Sequence, residues 1–303
     1  MRISSSGPIV RLVLHNPNAG LTWRSMRTRR LLETLRELPG TMVVPTRRGE
    51  IAKQTRELLG PATTSVFACG GDGTVSDVAS GLVDTDIALG IIPVGSTNTL
   101  AYEFGIPHDP MRAVNALVAS ASRRTLRTWT VGSHRLVLGV GVGWDAQLMW
   151  RTPTALKRRL GYAAFTPIGI GLAAMYEFPE IIVSGVDASG SAVTAAGTSV
   201  LVTNSRHWTG PRMQFPSADP GSDTLQVVVL ESRSLAHLTA FWLHMMLPGG
   251  KPLGLRGVRV LTMRRMTITS THPRGVDVHV NGDPVAHTPI AIEPSGSVSV
   301  IVP

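Results

Sequence analysis

Residues 67–81 read FACGGDGTVSDVASG, with Gly70, Gly71, Asp72 and Gly73 in succession between two apolar segments. Adjacent glycines cost backbone entropy, so such a run marks a sharp turn or a place where something approaches the backbone closely. The preceding TSVFAC has the composition of a buried strand, and Val75, Val78, Ala79, Leu82 and Val83 keep helical spacing after it. A glycine loop between a strand and a helix N-terminus presents N–H groups and the positive end of a helix dipole, which favours phosphate. Asp72 would be repelled by bare phosphate, so it suits an indirect role, as a ligand of a phosphate-bound Mg²⁺. A tight strand-to-helix turn capped by Thr74 explains the same residues without any ligand.

Two further loops of small residues share that context. PVGSTNT at 93–99, containing Gly95, Ser96 and Asn98, follows an apolar strand and precedes a helix; NPNAG at 16–20, opening on Asn16, follows the first strand. In a parallel sheet all three lie at the carboxyl ends of strands, where open α/β sheets bind ligands. None of them matches a Walker A loop or a G-x-G-x-x-G fingerprint, which excludes the usual P-loop and dinucleotide sites.

The elements that must position these loops alternate along the first 120 or so residues. PIVRLVLH, TMVVP, TSVFAC and IALGIIP read as strands, with helices predicted over Trp23–Leu38, GEIAKQTRELLG (capped by Gly60), the stretch after the glycines and MRAVNALVAS. Strand–helix alternation implies parallel pairing and right-handed crossovers, hence an α/β domain over residues 1–123. From residue 124 short apolar or alternating runs dominate: HRLVLGVGV, EIIVSGV, VTAAGTSVLVTN, TLQVVVLES, VRVLTMRRMTITS, VDVHV, PIAIEP and SVSVIVP. Only two helical stretches interrupt them, near 154–176 and 234–247, so residues 124–303 form a β-rich antiparallel sandwich or barrel.

Composition narrows the partners. The single cysteine, Cys69, excludes an internal disulfide framework and reads as a small buried hydrophobe in a reducing compartment. The net charge of +9 calls for an anionic partner. The arginines are scattered and no aromatic–basic interleaving marks a nucleic-acid platform, so nucleic acid is not expected. Phosphate-bearing ligands and an anionic membrane face fit instead. The longest charge-free segment, Leu160–Tyr176, carries Pro167 and internal glycines and makes a poor membrane span. A cytoplasmic protein attached to membranes only peripherally is expected. Exposed strand edges leave a homodimer open.

GGDGT at 70–74, followed about 20 residues later by P-x-G-[ST]-x-N, resembles the diacylglycerol kinase and sphingosine kinase catalytic family, whose superfamily includes the NAD kinases and phosphofructokinases. NPNAG is similar to the family's first loop and Thr46 to the threonine after its second strand. GVGVGWDAQ at 139–147 resembles its glycine-rich segment, and VTNSRHWTGPRMQFPSADPGSDTLQVVVL at 202–230 its long N-to-D-G-x-L segment. The resemblance covers nearly the whole chain and is strongest to bacterial lipid kinases. It implies an NAD kinase-like α/β domain and a β-rich domain that takes the lipid. It implies ATP in the interdomain cleft, near Thr46, Gly70, Gly71, Asp72, Gly73, Thr74 and Ser96. It further implies a structural Mg²⁺ at Pro220, Asp223 and Leu225, held partly through backbone carbonyls.

Phosphoryl transfer needs positioning, charge neutralisation and an acceptor for the hydroxyl proton. In the family that last role belongs to the aspartate of D-G-E-P; this chain has N-G-D-P, with Asn281 at that position. An amide is no base, and Asn-Gly is in any case a favoured hairpin turn. Asp283 could take over the role. Strand parity also places Asp277, His279 and Asn281 on the face opposite Val276, Val278 and Val280, which offers His279 or Asp277. A silent nucleotide or lipid binder and a soluble NAD kinase-like enzyme stand as the other readings. Thr99, Tyr102 and the Ser222-Asp223-Thr224 run depart from the family pattern as well. His272, His279 and His287 fit no zinc spacing, and Phe241, Trp242, His244, Met245 and Met246 read as core. The sequence is thus expected to encode an ATP-dependent kinase of an apolar alcohol such as diacylglycerol or a sphingoid lipid.

Overall fold

The structure, a computed structural model, describes residues 10–19, 26–153, 156, 164–208, 210, 215–247 and 250–303. Gly20, Trp23, most of 154–163 and part of the 202–230 segment (209 and 211–214) lie outside the described residues. The chain divides into two compact units, Met1–Leu126 with Gly296–Pro303, and Arg127–Ser295.

The first unit is built on four strands, β1 (Arg11–His15), β2 (Thr41–Pro45), β3 (Ser65–Gly70) and β4 (Ala88–Pro93), in the order β2-β1-β3-β4. All three pairings are parallel, as the alternation predicts. β3 and β4 are buried at every position, the mark of strands covered on both faces. The helices are α1 (Met26–Glu37), α2 (Ile51–Leu58), α3 (Asp72–Leu82), α4 (Thr99–Glu103) and α5 (Pro110–Ala119). Leu31 and Leu35 of α1, and Val75, Val78, Ala79 and Leu82 of α3, are buried, so the periodic stripes face the sheet. Cys69 is fully buried, and burial pushes its thiol up to about 12, which leaves it an inert core residue. α2 does not close on Gly60: its cap is Leu59 in extended conformation, and the Gly60 amide donates to Thr63 Oγ1 at 3.0 Å.

Unlike the domain division read from sequence, the C-terminal residues belong to this first unit. Val300 pairs in parallel with Leu89 of β4, and Val298, Val300 and Ile301 are buried. The runs PIAIEP and SVSVIVP, expected as separate strands, are one strand whose second half supplies that pairing. It bends through Gly296 at φ +77, where a Cβ would lie 2.3 Å from the Asp84 carboxylate.

The second unit is antiparallel and β-rich, as expected. Its strands are β5 (Arg123–Val131), which starts in the first unit, β6 (His134–Leu136), β7 (Gly139–Gly143), β8 (Ile181–Asp187), β9 (Ala192–Gly197), β10 (Ser199–Thr203), β11 (Leu225–Leu230), β12 (Val258–Ser270), β13 (Asp277–Val280), β14 (Asp283–His287) and β15 (Ile290–Ile301). They run β14-β13-β7-β10-β11-β12, with β8 and β9 continuing from β12. VTAAGTSVLVTN, read as one run, breaks at Thr198 into β9, which pairs with β8, and β10, which pairs with β7 and β11. Alternation sorts the central strands between two cores. Val200, Val202, Val227 and Val229 join the sandwich core with Trp129, Val140 and Val278. Leu201, Val228 and Leu230 face the other way, toward the helices α6 (Trp144–Arg151), α7 (Phe165–Met175) and α8 (Leu235–Met246). Phe241, Trp242 and Met245 lie in that second core, as expected.

Candidate active site

The parallel register brings the first unit's loops side by side. His15 stands opposite both Pro45 and Cys69, and Gly70 opposite Pro93, so the residues after each strand emerge along one carboxyl edge. Backbone bonds continue the ladder past the strand ends: Asn16 N–H to Cys69 O at 2.9 Å, Thr46 N–H to His15 O at 2.9 Å, and Val94 N–H to Gly70 O at 3.1 Å. Asn16, Thr46, the 70–74 loop and the Gly95–Asn98 loop are therefore neighbours.

Side chains then tie these loops together. Asn16 Nδ2 donates to Thr74 Oγ1 at 2.9 Å, while its Oδ1 accepts the Asn18 amide at 2.9 Å. Asn98, in the left-handed region at φ +50, closes its own loop: Oδ1 accepts from Gly95 N–H and Nδ2 donates to Gly95 O, both at 2.9 Å. The Asp72 carboxylate accepts the Thr99 amide at 3.0 Å and the Leu100 amide at 3.1 Å. Burial lifts the Asp72 carboxyl above the usual carboxylate range, with those amide bonds pulling the other way. Both Asp72 oxygens are thus engaged by α4, and the side chain cross-ties the two loops.

The glycines are needed for close approach. A Cβ on Gly95 would lie 2.5 Å from Gly71 Cα, and one on Gly70 would lie 2.4 Å from the Thr74 side chain. A Cβ on Gly73 would meet nothing within 4 Å, so the space over the start of α3 is open. Gly71 caps that helix and its backbone carbonyl takes the first helical bond, from Val75 N–H. The amides of Asp72, Gly73 and Thr74 form the unsatisfied first turn that suits an anion. Ser96 is exposed at the tip of the neighbouring loop. Thr74 serves inside the helix, not as its cap.

In the second unit the candidates separate. Asn281 leaves the strand at φ +54 and uses both ends of its amide structurally. Its Oδ1 accepts from Val137 N–H at 3.0 Å and Leu138 N–H at 2.8 Å, and its Nδ2 donates to Arg135 O at 2.7 Å. It is the anchor of the β13–β14 turn, and strand parity does not reach it. Asp283 is exposed. Asp277 pairs with His287 at 3.0 Å. His279 faces away from the valines as parity requires, is buried, and lies 2.6 Å through Nε2 from Asp145 Oδ2. Asp145 lies within GVGVGWDAQ, and residue spacing alone does not single it out. Its place in the first turn of a helix directly behind a glycine-rich strand was the available signal.

The residues expected to hold a structural Mg²⁺ have the following protein contacts. Pro220 O accepts the Arg127 amide at 2.7 Å, Asp223 is paired with Arg264 at 3.1 Å, and Leu225 opens β11. Among the described residues no group of three His, Cys, Asp or Glu stands ready for a metal ion.

The first unit is thus α/β with three small-residue loops on its carboxyl edge, and the second is an antiparallel sandwich. Residues 11–128 match the diacylglycerol kinase catalytic domain, and residues 139–302 match the YegS C-terminal NAD kinase beta sandwich-like domain. The chain belongs to the diacylglycerol kinase catalytic family, in its YegS-type form.

Among curated relatives, a "Probable lipid kinase YegS-like" from Chromohalobacter salexigens is 34% identical over 126 residues, 40% of each chain. One of the same description from Pseudomonas fluorescens is 26% identical over 241 residues, 78% of this chain and 76% of the relative. The "Diacylglycerol kinase" of Bacillus subtilis is 33% identical over 102 residues, 33% of this chain and 34% of its own. The first and last of these matches thus span less than half of the relative's length. The crystal structure of a diacylglycerol kinase from Bacillus anthracis superposes with a TM-score of 0.71 over 97% of both chains, at 18% identity, and shows the fold.

Among the described residues no helix is long and apolar enough to cross a membrane.

Proposed function

We propose that this chain is an ATP-dependent kinase that phosphorylates the hydroxyl of an apolar, lipid-like alcohol. The observation that carries this reading is the carboxyl edge of the first unit, where glycine backbone and the first amides of α3 face open space. That donor set suits the phosphates of ATP. Magnesium would enter as the counter-ion of the nucleotide and neutralise phosphate charge. The chain's own part is positioning: Asn16 and Thr74 set the first loop, and Asp72 and Asn98 set the second.

For the acceptor the reading rests on family membership and on the second unit's apolar helices. Met175 is 73% exposed, Leu247 55% and Leu243 44%, apolar side chains open to solvent on or beside these helices. Together with a net charge of +9, these residues favour work at an anionic membrane surface, where such alcohols reside. Diacylglycerol, sphingoid bases or ceramides, and polyprenyl-type alcohols share the required chemistry.

The full structural employment of Asn281 favours one second reading, a nucleotide or lipid binder that transfers nothing. Incubation with labelled ATP and a panel of lipid alcohols in mixed micelles separates the two. Transfer to at least one alcohol is expected; measurable ATP binding with transfer to none would establish the silent binder.

A further inference from the structure

On the carboxyl edge of the first unit, Asn16 with Thr74 and Asp72 with Asn98 hold two groups of loops, and the loop after β2 brings Thr46 beside them. Gln54 of α2 grips that third loop. The residue is 1% exposed, and both ends of its amide are engaged by the loop backbone. Nε2 donates to Pro45 O at 2.9 Å, and Oε1 accepts the Arg47 amide at 2.7 Å. The two bonds bracket Thr46, and their partners fix which end of the amide is oxygen. Thr46 N–H is itself tied to His15 O at 2.9 Å.

Beyond Thr46 the loop is closed as firmly. The Arg47 side chain pairs with Glu57 of α2 at 3.2 Å. The Arg47 carbonyl accepts the Glu50 amide at 3.1 Å, across a turn that contains Gly49 at φ +77. The backbone on both sides of Thr46 is therefore committed, whereas its hydroxyl has no hydrogen-bond partner among the described residues. A buried amide costs desolvation that only a satisfied pair of ends offsets. Gln54 directs both ends to a loop whose flanking residues, Pro45 and Arg47, are exposed and add nothing to the core. What this clamp secures is the place of the hydroxyl between them. Only β1 separates the β2 loop from β3, so Thr46 stands two strand spacings, about 10 Å, from the start of α3, within the reach of one nucleotide.

We propose that Gln54 is a positioning residue of the nucleotide site, holding the Pro45–Arg47 backbone so that the Thr46 hydroxyl donates to ATP. This inference rests on the ATP part of the kinase reading above. A contact made equally in the bound substrate and in the transition state changes affinity and leaves the chemical step alone.

The test is calorimetric titration of the full-length chain with ATP in excess magnesium, beside steady-state transfer, for wild type, Gln54→Met, Thr46→Val and the double variant. Met keeps the length of Gln and removes both hydrogen bonds. Val keeps the shape of Thr and removes only the hydroxyl, so Thr46→Val should unfold at the wild-type temperature. Each single variant is expected to raise the Kd for ATP about tenfold, the effect of roughly one hydrogen bond. KM for ATP should rise in step, with kcat within about twofold of wild type. The double variant should bind no more weakly than Thr46→Val alone, because Gln54 acts through the hydroxyl that Val lacks. A merely structural glutamine would add its loss to that of Thr46→Val. Additive losses, or an unchanged Kd in either single variant, would overturn the assignment while ATP binding and transfer by wild type left the kinase reading standing. A wild-type chain that binds no ATP would overturn both.

Discussion

Asn281 shows how far one residue's type can mislead about its role. At the family's base position it reads as a missing carboxylate, yet its amide makes three side-chain hydrogen bonds to the segment Arg135–Leu138. Asn281→Asp would keep the two amide donors and turn the third contact into oxygen against the Arg135 carbonyl. We expect it to cost roughly 1–3 kcal/mol, the penalty for a buried polar group left unsatisfied, read as a lower unfolding temperature. No gain in transfer is expected. A large gain in rate at unchanged stability would show that a carboxylate at 281 is what the chain lacks. Asp72 is a second case of a residue whose type was plain and whose task was not. Its raised carboxyl pKa means that the folded state binds the proton more tightly than the unfolded chain. The ionised form therefore weakens folding as pH rises above the unfolded value. At the loop junction this buried carboxylate holds the start of α4 through two amides.

At the scale of elements, the candidate nucleotide edge was legible because its signals are local. Each of the three loops sits between an apolar run and a helical period, and parallel pairing follows from alternation. What could not be read is how the loops meet. Gly71 and Gly95 touch backbone to backbone across two elements, and no periodicity encodes that contact. Gly95→Ala would drive a methyl to 2.5 Å from Gly71 Cα and 2.8 Å from Asn98 Oδ1. One loop must move, with an overpacking cost of about 1–3 kcal/mol. ATP affinity by calorimetry should fall together with the unfolding temperature; unaltered affinity would remove this loop from the nucleotide site. The His279–Asp145 pair was illegible for a related reason. Its members are 134 residues apart, and only the β13–β7 pairing brings them together. The split of β9 from β10 and the single span of β15 depend likewise on which partner each half finds.

For the molecule as a whole, composition spoke clearly of an anionic partner and only vaguely of which one. Scattered arginines define a charge, not a surface, and so the return of residues 296–303 to the first unit was invisible to composition as well. A +9 chain with exposed Met175, Leu243 and Leu247 should adsorb to anionic vesicles and desorb as salt rises toward the molar range, where the screening length shrinks to about 3 Å. Adsorption that ignores salt and lipid charge would point to the apolar side chains alone. The central claim is tested most directly by following γ-labelled phosphate from ATP into the organic phase of a lipid-alcohol micelle reaction. The account predicts label in an extractable phospholipid with wild type. Label that stays in ATP or inorganic phosphate, at saturating ATP and with every alcohol supplied, would contradict it.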